Sequence, residues 1–200
     1  TKTDHEEFTD SIILENTSIN EILMEEDPEL PKLGADIIAH RAERKLLSQI
    51  ISSQMDADRM DYLLRDSYFT GVSYGEFDLY RILRTIRIID DKIVIKESGI
   101  HAVEDYIMAR YQMYWQVYLH PVSRSFESIL HALFRRMADL EAKGKLDSKG
   151  LEVFLPFISK NHSISLEEHF ALDEPACLAG FTILRKSNDP ILKDLSRRLL

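Results

Sequence analysis

The chain has 200 residues, 44% of them hydrophobic and 30% charged, enough for a sizeable core under an ordinary solvated surface. With 7 Gly and 6 Pro it is poor in turn formers for an all-β protein, and its one cysteine, Cys177, excludes a disulfide framework and fits a reducing, cytoplasmic compartment. A formal charge of −9 disfavours a broad nucleic-acid surface but leaves room for a small polyanion gripped by a few aimed cations.

No apolar run approaches the roughly 20 residues that a bilayer demands. The start, Thr1-Lys2-Thr3-Asp4-His5, has none of the features of a signal peptide, and both ends read as cuts through a longer protein. Asp4-His5-Glu6-Glu7 opens a helix, with Asp4 as cap, acidic residues at its positive end and Phe8, Ile12 and Ile13 as its apolar face. Glu25 to Pro31 reads as an acidic, proline-marked connection between short helices. Ile37-Ile38 and Leu46-Leu47-Ile50-Ile51 supply the apolar faces of the next two helices. A strong helix is expected from about Ala57 to Phe69 and another from Asp78 to Ile86. Two β-branched runs flank Asp90-Asp91, a hairpin signal within 86–96. Ile100 to about His120 is a long aromatic helix stopped at Pro121, and Val122 to Ala142 is a second one closed by Lys143-Gly144. Short helices and polar turns such as Lys160-Asn161-His162-Ser163 complete the chain. The expected fold is an all-α helical bundle with one small β-hairpin.

Two helical stretches carry chemistry. On the first, Met60, Leu63, Leu64 and Ser67 form the packing side, whereas Asp58, Tyr62 and Asp66 fall four apart on another face. Carboxylates that face inward need metal, arginine or hydroxyl partners, because an isolated buried charge costs several kcal/mol. The bland alternative is a solvated acidic face with Arg59 and Arg65 in local ion pairs. On the second, Arg110, Tyr114 and Tyr118 repeat the spacing: arginine offers a fork of donors for phosphate, and tyrosines offer ring faces for a sugar or base. Its alternative is an aromatic core stripe with one snorkelling arginine.

Asp56-Ala57-Asp58-Arg59-Met60-Asp61-Tyr62-Leu63-Leu64-Arg65-Asp66 closely resembles the D-x-D-[RK]-x-D-Y-x-x-R-D segment of the HD-domain deoxynucleoside triphosphate triphosphohydrolases. His101 to Arg110 and Tyr118 to Arg124 extend the likeness, and Asp4-His5-Glu6 looks like the step that follows the family's H…HD motif. The resemblance implies an HD-like helical fold and hydrolysis of a dNTP to deoxynucleoside and triphosphate, in a homo-oligomer, either dimer or tetramer. It implies a divalent metal (Mn, Mg, Fe or Zn) held by a His, a His-Asp pair and a later Asp. Asp58 matches the later Asp, but no adjacent His-Asp pair occurs in these 200 residues. The chain is therefore expected to hold, in residues 1–142, the later part of a catalytic domain that lacks its upstream ligands, with 143–200 as a helical extension. Such a piece should be inactive alone.

Single roles carry over by position. His5 matches a histidine beside the reacting phosphate, and Arg59 and Arg110 match residues that grip the triphosphate. Tyr62 and Asp66 match residues near the sugar, Asp66 placed to accept from the 3′-hydroxyl, and Tyr118 matches a ring packed against C2′. Tyr114 falls on the base side, and His120 follows Tyr118 at the same helix end. His40, His101, His131, His162 and His169 read as structural or surface residues. The competing reading is a nucleotide-binding sensor or regulatory protein with little hydrolysis.

Overall fold

The computed structural model describes residues 5–15, 17–160 and 162–200. The expected cap Asp4, and Asn161 in the polar turn, lie outside them. Among the described residues are twelve α-helices and one two-stranded antiparallel sheet, so the fold is all-α with a single hairpin. No helix among them is long and apolar enough to cross a membrane. The chain divides into two compact units, His5–His120 and Pro121–Leu200.

In the first unit, α1 (His5–Leu14), α2 (Ser18–Glu26), α3 (Leu30–Ile38) and α4 (Lys45–Ile51) precede the long α5 (Ala57–Thr70). The connection expected over Glu25–Pro31 is shorter than its composition suggests. Helix α2 runs through Glu26, and Pro31 sits buried in the first turn of α3, where a missing N–H costs nothing. Helix α6 (Leu79–Thr85), capped by Asp78, leads into β1 (Ile86–Ile89) and β2 (Lys92–Ile95). The strands pair Ile86 with Ile95 and Ile89 with Lys92, and the two residues between them, Asp90 and Asp91, take φ of 49° and 57°. Positive φ at both centres is the turn geometry that matches strand twist. Gln49 of α4 accepts the Ile93 N–H at 3.1 Å, which docks the hairpin.

The last helix of this unit, α7 (Ile100–Met113), is shorter than expected. From Tyr114 to Tyr118 the backbone is π-helical, and the Leu119 N–H donates to the Tyr114 carbonyl at 2.8 Å. The turn must end there, because Pro121 has no N–H to donate back and disfavours helical geometry at His120. The core of the unit is Met60 and Leu63 from α5, Ile82 from α6, and Ala102, Tyr106 and Met113 from α7. Burial of each large side chain contributes roughly 1.5–3 kcal/mol.

The second unit is built on α8 (Pro121–Glu141), followed by α9 (Leu155–Ile158), α10 (Leu166–Ala171), α11 (Glu174–Leu184) and α12 (Pro190–Leu199). Leu133, Met137 and Leu140 of α8 pack with Phe154, Phe181 and Leu192. Arg136 of α8 grips Asp189, the cap of α12, with Nη2 2.5 Å from Oδ2.

Candidate active site

The acidic stretch of α5 separates into three chemically distinct uses. Asp56 is 3% exposed and is structural: its carboxylate accepts the Arg59 N–H at 2.7 Å and the Ser53 N–H at 2.8 Å, capping the helix. The Arg59 guanidinium stands 3.7 Å from Asp56 and also donates to the Ser53 carbonyl, which tethers it at the start of α5. Asp61 and Arg65 pair at 2.7 Å across one turn on an exposed face, the solvated arrangement raised above as the bland alternative. Asp58 is exposed in the first turn, where a negative charge also suits the helix dipole.

Tyr62 and Asp66 meet the second stretch. The Tyr118 hydroxyl donates to Asp66 Oδ2 at 2.8 Å across 52 residues of chain. The Tyr118 ring stands edge-on to Tyr62 at 6.1 Å and to Tyr114 at 5.4 Å between centroids. Arg110 lies over the Tyr114 ring, 5.8 Å from its centroid, and donates to Gln54 Oε1 at 2.8 Å. Tyr106, buried in the core, donates its hydroxyl to the Gln54 carbonyl at 2.8 Å. Burial pushes the Tyr118 hydroxyl well above the usual tyrosine range, and its bond to Asp66 adds to the rise, so it remains a proton donor. Burial likewise raises Tyr62, with Tyr114 adding to the rise and Arg59 and Arg110 opposing it.

The structure thus brings together Tyr62, Asp66, Tyr114 and Tyr118, with Arg110 attached through Tyr114. Beside them opens a cleft of about 620 Å³ walled by Gln54, Arg110, Tyr111, Tyr114, Trp115 and Leu119. Asp58, Tyr62, Asp66 and Tyr118 are not among its lining residues. His5 opens α1 in an exposed position, and none of its hydrogen bonds among the described residues reaches the tyrosines. His120 lies exposed in the turn after the π-helical segment. Gln54, which aims the Arg110 guanidinium, is a residue that sequence reasoning missed. An uncharged polar side chain before a helix carries no pattern that announces a contact 56 residues away.

Among the described residues, no group of three His, Cys, Asp or Glu could hold a metal ion. Asp58 can contribute one carboxylate, and a single ligand does not fix a divalent ion in defined geometry. These residues do not by themselves fit the metal that the resemblance implies.

Residues 77–153 match a family model described as the HD associated region. An uncharacterized Bacillus subtilis protein, YwfO, is 49% identical over 197 residues, covering 98% of this chain and 45% of that protein. A deoxynucleoside triphosphate triphosphohydrolase SAMHD1 homolog from Dictyostelium discoideum is 32% identical over 95 residues, 46% of this chain and 18% of that protein. A solved phosphohydrolase from Bacteroides thetaiotaomicron aligns with a TM-score of 0.75 at 30% identity, covering 96% of this chain and 51% of that one. The chain therefore spans about half, or less, of the length of these relatives. Residues 77–153 are thus similar to an HD associated region, and the chain as a whole is similar in fold to a solved phosphohydrolase.

Proposed function

We propose that the chain is the substrate-holding part of an HD-type enzyme that hydrolyses deoxynucleoside triphosphates to deoxynucleoside and triphosphate. The observation that carries this reading is the continuous train Asp66–Tyr118–Tyr114–Arg110, which sets a carboxylate acceptor, two rings and a cation side by side. Arg110 and Arg59 grip the triphosphate, each as a fork of donors. Asp66 accepts from the sugar 3′-hydroxyl with Tyr62 alongside. The Tyr118 ring, held by its own hydroxyl on Asp66, fills the space beside C2′ that a ribose hydroxyl would need. Tyr114 lies toward the base, and His120 flanks it.

In the reaction, water attacks the α-phosphorus, the bond from phosphorus to O5′ breaks, and the proton ends on O5′. His5 is the proposed donor of that proton. Asp58 is the proposed carboxylate ligand of a divalent ion whose remaining ligands are not among these residues, so the chain alone is expected to bind nucleotide without turning it over. Product analysis tests this reading. A protein that adds a His and a His-Asp ligand to this chain should release deoxynucleoside and tripolyphosphate from a dNTP, and Asp58→Ala should lower kcat by several orders of magnitude. Release of a deoxynucleoside mono- or diphosphate would contradict it.

A further inference from the structure

The second unit carries a cleft that the proposed reaction does not use. It has a volume of about 300 Å³ and lies between the loop after α8 and the turn from α11 to α12. Its floor is apolar, made by the buried side chains of Leu140, Leu151, Leu184 and Leu192. Three lysines line it: Lys145 and Lys149 from the first loop and Lys186 from the second.

The charge balance of this cleft is unlike that of the whole chain, whose formal charge is −9. Two aspartates also line it, Asp147 and Asp189. Asp189 is already neutralised: Arg136 sits 2.5 Å from its Oδ2, and its Oδ1 accepts the Ile191 and Leu192 N–H groups at 3.1 and 2.9 Å. The guanidinium of Arg136 holds the Asp189 carboxyl below the usual aspartate range, as expected of a committed ion pair. Asp147 Oδ1 accepts the backbone N–H of Lys149 at 3.3 Å. Among the described residues, by contrast, none of the three lysines makes an ion pair. Three cations against one uncommitted carboxylate leave the cleft with a local positive excess.

The loop that presents two of these lysines is pinned. Gly144 and Gly150 adopt φ of 61° and 77°, and the Lys145 N–H closes the end of α8 on the Leu140 carbonyl at 2.9 Å. A pinned loop loses little entropy when a ligand arrives. Ser187, Asn188 and Thr182 add hydrogen-bonding groups at the rim. Three lysines around the rim of an apolar floor suit an anion with several oxygens, and a space of this size accepts a short phosphate chain.

We infer that the cleft of Lys145, Lys149 and Lys186 is an oligophosphate-binding site, separate from the tyrosine cluster of the first unit. The ligand is a small anion bearing two or three linked phosphoryl groups, either free or as the tail of a nucleotide. Because the site shares no residue with Asp66, Tyr118 or Arg110, it stands whether or not the proposed hydrolysis does.

The test is backbone amide mapping on the isotope-labelled 200-residue chain, titrated with sodium tripolyphosphate, a deoxynucleoside triphosphate and an unphosphorylated deoxynucleoside at low salt. Tripolyphosphate should shift amides within 144–151 and 182–189, and it should do so equally in Arg110→Ala. The deoxynucleoside should leave them unmoved. A deoxynucleoside triphosphate that moves them as tripolyphosphate does assigns the site to the shared phosphate chain, and one that does not confines it to the free anion. Lys145→Gln and Lys186→Gln should each weaken the response by roughly tenfold, the size of one charge-assisted hydrogen bond, while the remaining amide spectrum reports that the fold is intact. Absence of shifts in these two segments at millimolar tripolyphosphate would overturn the inference, as would shifts that survive both substitutions.

Discussion

Replacing Tyr118 by Phe removes one oxygen and leaves the ring, so it isolates the bond that joins the two functional stretches. That hydroxyl donates to Asp66 Oδ2 at 2.8 Å. A hydrogen bond to a charged acceptor contributes about 1.5–3 kcal/mol when water is excluded. Both groups here are only half-buried, and water can take the vacated carboxylate oxygen. The expected loss of unfolding free energy at neutral pH is therefore about 1 kcal/mol. Burial, and then the Asp66 contact, raises the hydroxyl above its unfolded value near 10, so its contribution is present below that value and fades as pH rises through the higher folded one. Urea unfolding of wild type and Tyr118→Phe at pH 7 and again above pH 10 should show the difference narrowing in alkali. A difference that is absent at pH 7, or that widens in alkali, would refute the reasoning. The substitution keeps the ring, so preference for deoxy over ribo sugars should persist in Tyr118→Phe and weaken by roughly 1–3 kcal/mol in Tyr118→Ala.

Other outcomes follow from single contacts. A Cβ on Gly180 would overlap the Phe154 ring, meeting Cζ at 2.5 Å, so Gly180→Ala should cost about 1–3 kcal/mol in thermal or chemical unfolding. Asp189→Asn keeps the cap of α12 but loses its charge to Arg136. The Asp189 carboxyl is held below its unfolded value by that arginine, so its contribution is present above about pH 4 and is lost as pH falls through the lower folded value. Wild type should consequently lose its stability advantage over Asp189→Asn in acid unfolding below that point. Gln54→Ala should free the Arg110 guanidinium and weaken nucleotide binding, whereas Gln54→Glu should restore the tether with a charged acceptor, as read by titration calorimetry.

Helix α5, the hairpin and the stop at Pro121 were legible because each depends on neighbours in the chain. The apolar side of α5 recurs at helical spacing, Asp90-Asp91 tolerates positive φ, and proline lacks a donor. The π-helical turn at Tyr114–Tyr118 was not legible, since a four-residue spacing brings side chains together in an α-turn and in this wider one alike. The division of labour among the acids of α5 was equally hidden. Asp56 and Asp58 look alike on paper, and only burial separates the cap from the exposed carboxylate. The resemblance pointed to Asp66 and Tyr118 as parts of one sugar site. That they bond directly, and that Gln54 ties Arg110 to the Tyr106 core, depends on α5 and α7 packing side by side.

The central claim is that the tyrosine cluster with Asp66 and Arg110 holds a deoxynucleotide, and a paired titration of the chain with a deoxynucleoside triphosphate and its ribo-analogue addresses it most directly. Amide and side-chain resonances of Tyr62, Asp66, Arg110, Tyr114 and Tyr118 should respond to the deoxy form, with the ribo form weaker by roughly tenfold or more. Equal affinity for both sugars, or a response confined to residues outside this group, would contradict the account.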